Sequence, residues 1–424
     1  MPVTWSKPTP FSIHIPDARI QSLQAAVEAF DFDHFDSNIL STPISEGDFS
    51  LGLPPIIAKR LVERLKSGYD WRKYERVMNE IGNHYIVQVD GIPGESEPLK
   101  VHIIERRSKR EDATPIVLNH GWPGSFFEFH KLAPLLADPP NPDDQAFHCI
   151  IPSMPGYTFS SPPKSHGWDG YKVATAVDAA VQALGYKIYL AQAWRRFGLG
   201  NIQPSGFRIS RTMQRNPRVS CLIFIKQNKQ STPRSSTDLN AIPFSYLPTE
   251  EQKANMSPDE IRGLEAGAEF EKSGSAYLKM NQTVPYTVGL MLASSALAAL
   301  FYIGEKLYRW AAPESVLSID DVLTSALLYI YSGSLTSTLW LYVAPTFVDH
   351  SHKKIDVPSA FSSGRADLLW APKAQAEEQY RKLLWWRILK EGGHFLALEK
   401  PELLAGELRE FASKNEVKKS LSAD

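Results

Sequence analysis

The chain has 424 residues, of which 43% are hydrophobic and 22% are charged. These values are ordinary for a globular protein with a sizeable core, and the length favours a core with a second lobe over one small domain. The 46 basic and 47 acidic residues leave a net charge of −1, so neither nucleic acid nor an anionic membrane is expected as a partner. Cys149 and Cys221 lie far apart, so no metal site or disulfide framework is expected and a reducing compartment is favoured.

The N-terminus carries no recognisable signal peptide or membrane anchor, because no long apolar run follows Met1. The most apolar stretch, residues 284–303, is interrupted by proline, serine and threonine, so a buried helix is predicted there rather than a membrane span. Upstream, Ile56, Leu61 and Leu65 recur at helical spacing and predict the apolar face of a helix. We therefore expect a soluble, cytoplasmic protein; peripheral contact with membranes and the oligomeric state stay open.

Short apolar runs alternate with helical patterns from about residue 99 onward. This alternation is typical of βα units on a mostly parallel sheet. Between residues 235 and 345 it gives way to long helical patterns, which predict an all-helical cap inserted into the α/β core. The predicted strands are residues 101–104, 115–118, 147–151, 188–190, 356–366 and 384–389; the predicted helices are residues 127–136, 171–184, 257–272, 319–328 and 402–412.

Residues 120–125, His-Gly-Trp-Pro-Gly-Ser, follow one predicted strand directly. Gly121 and Gly124 relax backbone limits and Pro123 fixes one φ angle, which predicts a sharp loop at the carboxyl end of a strand. Open parallel sheets bind ligands at this edge, and backbone N–H groups in such a loop can stabilise an oxyanion. A plain tight turn with Trp122 packed beneath it explains the same residues.

A second motif, Gly392-Gly393-His394-Phe395, lies late in the chain between a predicted strand and a helix. A histidine there suits a general base in the order nucleophile, acid, histidine. Asp367 follows another predicted strand upstream, where a carboxylate could orient the imidazole and stabilise its charged form. On their own, a loop histidine is more often structural and a loop aspartate is often a turn residue.

These motifs, in this order, resemble those of the microsomal-type epoxide hydrolases. Residues 11–17 and 68–72 resemble that family's N-terminal segment, residues 120–125 its oxyanion loop, residues 152–157 its next strand-end motif, and residues 392–395 its histidine loop. The resemblance implies an α/β-hydrolase fold with a mostly parallel sheet and a helical cap. It divides the chain into an N-terminal epoxide-hydrolase-type segment (1–98), a first core part (99–234), the cap (235–350) and a second core part (351–424).

The resemblance also implies roles for single residues. His394 would be the base that activates water, with Asp367 as its charge-relay acid. Tyr277 and Tyr342, in the cap, would donate hydrogen bonds to the epoxide oxygen, although Val343-Ala344-Pro345 departs from the residues that the family usually has there. His120, Gly121 and Trp122 would form the oxyanion and binding loop. The implied substrates are a small hydrophobic epoxide and water, in detoxification or secondary metabolism, and no cofactor or metal is implied.

The nucleophile that this chemistry requires is missing from its expected place. The family carries an aspartate in a Gly-Gly-Asp-Trp-Gly-like elbow after the strand at 188–190. This chain reads Gln192-Ala193-Trp194-Arg195 instead, which places Arg195 at the nucleophile position. An alignment made backwards from residue 209 places Pro204 there. Neither residue can attack an epoxide, so the segment is both altered and longer than expected.

A shifted reading frame or mis-assigned splice site across residues 193–207 is one hypothesis for this change. Codons for Trp194 to Leu199 exist that, read one base later, encode Gly-Gly-Asp-Leu-Gly. Arginine has many codons, so this match is permissive. The rival hypothesis is a catalytically inactive homologue that binds a hydrophobic small molecule or a partner.

Three weaker motifs point to other chemistry. Ser205 precedes Asp367 and His394 in serine-hydrolase order, but its surroundings lack both outer glycines of a nucleophile elbow. Gly198-Leu199-Gly200 begins a dinucleotide-binding fingerprint without completing it. His350-Ser351-His352 could bind a metal, but a solvated loop explains it better.

Overall fold

The computed structural model describes residues 2–32, 34, 45–168, 170–193, 219–224, 250–315, 317–343, 355–368 and 372–422. Ten strands in these residues form one sheet: β1 Thr4–Trp5, β2 Thr9–Phe11, β3 Asn83–Asp90, β4 Leu99–Arg106, β5 Thr114–Asn119, β6 Phe147–Pro152, β7 Tyr189–Ala193, β8 Val219–Phe224, β9 Ile355–Ser363 and β10 Tyr380–Ile388.

The order across the sheet is β1-β3-β4-β6-β5-β7-β8-β9-β10, with β2 also paired to β3. Every pair from β6 to β10 is parallel, and every pair involving β1 to β4 is antiparallel. The central strands read as continuous apolar runs; all six residues of β6 are buried, for example. This is the composition expected of parallel strands covered on both faces, so the predicted mostly parallel α/β architecture is confirmed.

The N-terminal segment contributes strands to this sheet, which the sequence analysis did not predict. Strand β3 pairs with β4 from Asn83 opposite Glu105 to Val89 opposite Leu99. Its buried residues, His84, Val87 and Val89, do not alternate strictly and include a histidine, so the strand pattern is weak. The proposed division at residue 98 therefore lies in the connection between two paired strands.

The helices of the described residues cover the sheet and form the cap. They are α1 Asp17–Glu28, α2 Pro55–Lys66, α3 Trp71–Asn79, α4 Leu132–Ala137, α5 Gly170–Ala183, α6 Glu250–Ala254, α7 Pro258–Glu269, α8 Ala276–Thr283, α9 Pro285–Ala293, α10 Ala296–Trp310, α11 Ile319–Ser332, α12 Lys373–Gln379, α13 Leu396–Glu399, α14 Pro401–Ser413 and α15 Asn415–Leu421. Shorter turns occur at Phe126–Phe129, Phe270–Gly274 and Ser337–Tyr342.

The apolar stretch at 284–303 forms two helices rather than the single buried helix that was predicted. Helices α9 and α10 meet at an angle of 117°. Ser295 begins α10 by accepting a hydrogen bond from the backbone N–H of Ala298 (3.2 Å), so a new helix starts where the first ends. Helix α10 is largely buried, whereas Tyr286 and Leu290 of α9 are exposed. Within the described chain, no single helix is long and apolar enough to cross a membrane; α9 and α10 meet that test only as a bent pair.

Two local predictions were wrong in detail. The helix predicted over 127–136 is a short turn followed by α4, because Pro134 lacks an N–H and fits only in the first turn of a helix. Helix α2 buries Ile57 and Leu61, while Ile56 is 51% exposed, so the buried face is shifted from the one predicted.

The carboxyl ends of four strands lie at the same edge of the sheet. Asn119, the last residue of β5, is in register with Ala193, the last residue of β7. On the other side, Ser363 of β9 is in register with Ile388 of β10. Loops that leave these strands therefore begin side by side, at the edge where parallel sheets bind ligands.

Candidate active site

A hydrogen-bonded pair of His394 and Asp367 lies beyond the ends of β9 and β10. His394 Nδ1 is 2.9 Å from Asp367 Oδ1, and the side chains are 12% and 0% exposed. Asp367 also accepts hydrogen bonds from the Leu368 N–H (2.7 Å) and the Ser363 hydroxyl (3.2 Å). Because a carboxylate only accepts, we assign the proton of a neutral His394 ring to Nδ1, which makes Nε2 the basic nitrogen.

The loop that carries His394 lies against the cap through backbone contacts. The His394 N–H donates to the carbonyl of Trp310, the last residue of α10 (2.9 Å). At Gly393, a Cβ atom would lie 2.3 Å from the backbone nitrogen of Ala312, so only glycine permits this approach. On its other side the loop contacts the segment before Asp367, where the Ala366 N–H donates to the Gly392 carbonyl (3.0 Å).

The loop at residues 120–125 follows β5 and contains a cis peptide bond between Trp122 and Pro123. The buried His120 ring accepts from the Met154 N–H at Nε2 (3.3 Å), and its Nδ1 lies 3.3 Å from the Gly121 carbonyl. Burial lowers the pKa of His120 to about 4, so this ring is neutral at physiological pH. The His120 side chain therefore supports the loop as a neutral ring held by backbone contacts.

Two buried polar residues support the same loop from below. The Tyr329 hydroxyl, on α11, donates to the Gly124 carbonyl. The carboxyl of Glu128 lies so close to Gly124 that a Cβ there would overlap it. Burial raises the pKa of Glu128 well above its ordinary value, which favours the neutral acid. Neither residue was selected from the sequence.

The two cap tyrosines named from the sequence meet Trp122 in an aromatic cluster. Tyr277 stacks on Trp122 with ring centres 5.3 Å apart, and Tyr342 meets Trp122 edge-on at 5.7 Å. The rings of Tyr277 and Tyr342 are 6.1 Å apart. Trp310 extends the cluster to the histidine, at 5.2 Å from Tyr277 and 5.3 Å from the His394 ring. The structure thus brings Trp122, both tyrosines and His394 into one continuous set of ring contacts.

A buried lysine lies behind this cluster. Lys306 Nζ is 5.7 Å from the ring centre of Tyr277 and 4.0 Å from that of Tyr302, and it pairs with the Glu305 carboxylate. Burial lowers the pKa of Lys306. Lys306 therefore packs against the rings of Tyr277 and Tyr302 while its ammonium group is ion-paired with Glu305. Lys306 could not be selected from the sequence, because its neighbours are brought to it by helix packing.

Several residues named from the sequence lie outside the described residues. These are the position expected for the nucleophile, Arg195, its alternative Pro204, and also Ser205, Gly198-Leu199-Gly200 and His350-Ser351-His352. The described chain does include Gln192 on β7, which is fully buried and whose side-chain amide has no hydrogen-bond partner among the described residues. Within the same part of the chain, no group of three or more His, Cys, Asp and Glu could hold a metal ion.

The fold and this site define an α/β-hydrolase, and comparisons with known proteins agree. A profile for the α/β hydrolase fold matches residues 114–189, and a profile for the epoxide hydrolase N terminus matches residues 8–129. A solved structure of Aspergillus niger epoxide hydrolase superposes with a TM-score of 0.75 at 28% identity, covering 96% of each chain. Juvenile hormone epoxide hydrolase of Bombyx mori shares the fold with a TM-score of 0.73 at 21% identity, covering 97% of this chain and 94% of its own.

Sequence relatives narrow the class to one family. A protein of Stigmatella aurantiaca that carries the name of an epoxide hydrolase is 34% identical over 417 residues, which cover 95% of this chain and 84% of that protein. Epoxide hydrolase 1 of Sus scrofa is 27% identical, covering 95% of this chain and 88% of its own length. The chain belongs to the epoxide hydrolase family.

Proposed function

We propose that this protein hydrolyses an epoxide to a vicinal diol through an alkyl-enzyme ester. The observation that carries the proposal is the His394–Asp367 pair, placed by ring contacts beside the cap tyrosines Tyr277 and Tyr342. Membership of the family supplies the reaction class, and the geometry suggests which residue performs each step.

In the first step a carboxylate attacks one carbon of the strained ring, and the bond from that carbon to the epoxide oxygen breaks. The oxygen needs a proton as its charge develops. Tyr277 and Tyr342 both contact Trp122. We assign their hydroxyls as the donors to this oxygen, which bind it more strongly as it leaves than in the intact epoxide.

In the second step water cleaves the ester. His394 takes a proton from water, whose oxygen then attacks the ester carbonyl carbon. Backbone N–H groups near Trp122 stabilise the tetrahedral oxyanion, which collapses and breaks the bond to the diol oxygen. The proton held by His394 and the proton of the new carboxyl group pass to the leaving oxygen and to the tyrosinate, so the diol leaves and the carboxylate, the tyrosine and the neutral imidazole are regenerated. Asp367 stabilises the imidazolium that forms and keeps the ring in the correct tautomer.

The cluster of Trp122, Tyr277, Tyr342 and Trp310 favours a small hydrophobic epoxide as the substrate, since these rings offer apolar surface with few hydrogen-bonding groups. The two steps use side chains, backbone and water.

We further propose that the protein acts in the cytoplasm. It has only two cysteines, and proteins without a disulfide framework are typical of reducing compartments.

The carboxylate of the first step is the part that the sequence does not supply, because Arg195 stands at its position. We attribute this to a shifted frame or splice assignment across residues 193–207, so that the authentic protein carries Gly-Gly-Asp after Gln192. The rival hypothesis of an inactive homologue is not favoured, because the relatives compared above carry the name epoxide hydrolase.

Sequencing of the transcript, followed by expression of its product and assay of diol formation from styrene oxide, tests this proposal. We expect an aspartate codon in the elbow, diol formation, and loss of activity in an Asp367→Ala, His394→Ala double variant. A transcript that encodes Arg195 in frame, together with a folded product that forms no diol, would overturn the proposed activity in favour of the inactive homologue.

A further inference from the structure

The carboxylate of Glu399, at the end of α13, binds the histidine loop through three backbone N–H groups. Glu399 Oε1 accepts from the Phe395 N–H (2.7 Å) and Oε2 accepts from the Gly393 N–H (2.9 Å). These donors flank His394 on both sides along the chain. The third donor is the N–H of Ala312, in the cap (2.8 Å to Oε2).

The same contacts join the loop to the end of cap helix α10. The His394 N–H donates to the Trp310 carbonyl, and Gly393 approaches Ala312 more closely than any residue with a Cβ could. Glu399 therefore bridges two backbone segments that already lie in direct contact. If the carboxylate is removed, the N–H groups of Gly393, Phe395 and Ala312 lose their acceptor in a largely buried place, which is costly.

The charge of Glu399 matters to this arrangement as well as its shape. Burial raises the pKa of Glu399 above its ordinary value, whereas the backbone N–H groups that donate to the carboxylate, and the nearby Ser315 hydroxyl, act in the opposite direction and favour its ionised form. A glutamine would keep one acceptor oxygen but turn an NH₂ group towards N–H donors. The isosteric amide therefore cannot satisfy all three donors.

We propose that Glu399 is a positioning residue for the general base. The carboxylate fixes the backbone on both sides of His394 and links it to Ala312. In this way it sets the orientation of the imidazole side chain relative to the loop. That orientation lets Nδ1 meet Asp367 while Nε2 is presented to the reacting water. The inference rests on the proposed function, in which His394 activates that water.

The hydrogen bond from His394 Nδ1–H to Asp367 provides a test that does not depend on turnover. A proton in such a bond gives a far-downfield NMR signal, which can be observed in the full chain with labelled histidine and assigned by its absence in a His394→Gln variant. The variants to compare are Glu399→Gln, Glu399→Asp and the matched control Glu402→Gln, which changes an exposed carboxylate three residues away. The Nε2–H proton that the buried His102 ring donates to His84 Nδ1 (3.0 Å) gives a second signal, which reports in each spectrum that the chain is folded.

We expect Glu399→Gln to speed solvent exchange of the His394 Nδ1 proton by about tenfold or more while the His102 signal stays in place. Glu399→Asp, which keeps the charge, should restore the signal in part, and Glu402→Gln should match the parent. A parent spectrum without the signal would contradict the His394–Asp367 pair and so the proposed function. A parent with the signal and an unchanged Glu399→Gln spectrum would overturn the role of Glu399 alone, and an Asp variant no better than the Gln variant would overturn the role of its charge.

Discussion

The histidine side and the strand β7 side of the site follow the same sheet edge, but only the histidine side keeps the residues that the chemistry requires. On the histidine side, Asp367 and His394 follow the ends of β9 and β10 and are hydrogen-bonded to each other. On the other side, β7 stays in register with β5 and β8 up to Ala193, yet the next residues read Trp194-Arg195. The strand framework is intact at the point where the sequence departs from the family. An abrupt change at one position is what a shifted frame produces, whereas gradual drift would also alter the strand.

The largest expected effect comes from repairing the β7 side. A chain with Ala193→Gly, Trp194→Gly and Arg195→Asp regains a carboxylate two residues after Ala193, the last residue of β7. We expect its rate of diol formation from styrene oxide to exceed that of the chain with Arg195 by about 10⁴-fold or more, because nucleophile, acid and base act as a unit. Equal rates of diol formation for the two folded chains would contradict the prediction that a carboxylate at residue 195 acts together with His394 and Asp367.

The next effect concerns the histidine side of the repaired chain. His394→Gln should lower turnover by about 10³-fold to 10⁴-fold, because no base remains to activate water. The covalent ester should then accumulate. Intact-protein mass spectrometry detects it as an increase in protein mass equal to the mass of one substrate molecule. His14→Gln, at an exposed histidine, is the matched control and should behave as its parent. Loss of turnover without an accumulated ester would assign His394 to the first step instead.

A smaller effect is expected for the tyrosines in the cap. In the repaired chain, Tyr277→Phe or Tyr342→Phe should each slow ester formation by about 10-fold to 10²-fold, and the double variant by more, because the leaving oxygen loses a proton donor. Ester hydrolysis should change little. Stopped-flow or quenched-flow separation of the two steps measures this, with Tyr286→Phe, on the exposed face of α9, as the control. Equal slowing of both steps would point to a packing defect rather than to proton donation.

The smallest expected effect is on stability and concerns two buried histidines, His84 and His102. His84 Nε2–H donates to the Met78 carbonyl (2.9 Å), so its Nδ1 accepts from His102 Nε2–H (3.0 Å), and His102 Nδ1 accepts from the Ser153 hydroxyl (2.8 Å). Both rings are neutral in this chain of bonds, and burial lowers the pKa of His84 from 6.5 to about 4.

The sign of the pH dependence follows from that lowered pKa. Above the unfolded pKa near 6.5 neither state binds the proton, whereas between that value and about 4 only the unfolded state does, so stability falls as pH falls. His84 alone should reduce the free energy of unfolding by about 2 kcal/mol between pH 7 and pH 5. Denaturant titrations at both pH values measure it. A His84→Leu, His102→Leu chain should be less stable at pH 7, but its free energy of unfolding should change less between pH 7 and pH 5. A change as large as that of the parent would assign the acid sensitivity to other groups.

The sequence predicted the parts of the molecule that short motifs specify. The loop at Trp122, the pairing of Asp367 with His394 and the helical character of the cap all came from local patterns combined with the family resemblance. The residues that support the loop at Trp122 and Tyr277 could not be predicted in this way. Glu128, Tyr329 and Lys306 have these roles only through contacts that the folded chain creates. Glu399 follows the histidine motif at 392–395, but nothing in its spacing shows that its carboxylate binds Ala312, in the cap.

The backbone contact between the histidine loop and the end of α10 has a consequence for how this fold can be recombined. The cap is the natural segment to exchange between relatives when a new substrate range is sought. Trp310 and Ala312 lie in the cap segment of the chain, but their backbones are hydrogen-bonded to His394 and Glu399 of the core. They are therefore part of the structure that positions the general base. A chimera should therefore retain residues 310–312 of this chain, and the foreign cap should be joined on both sides of them, within α10 and after Ala312.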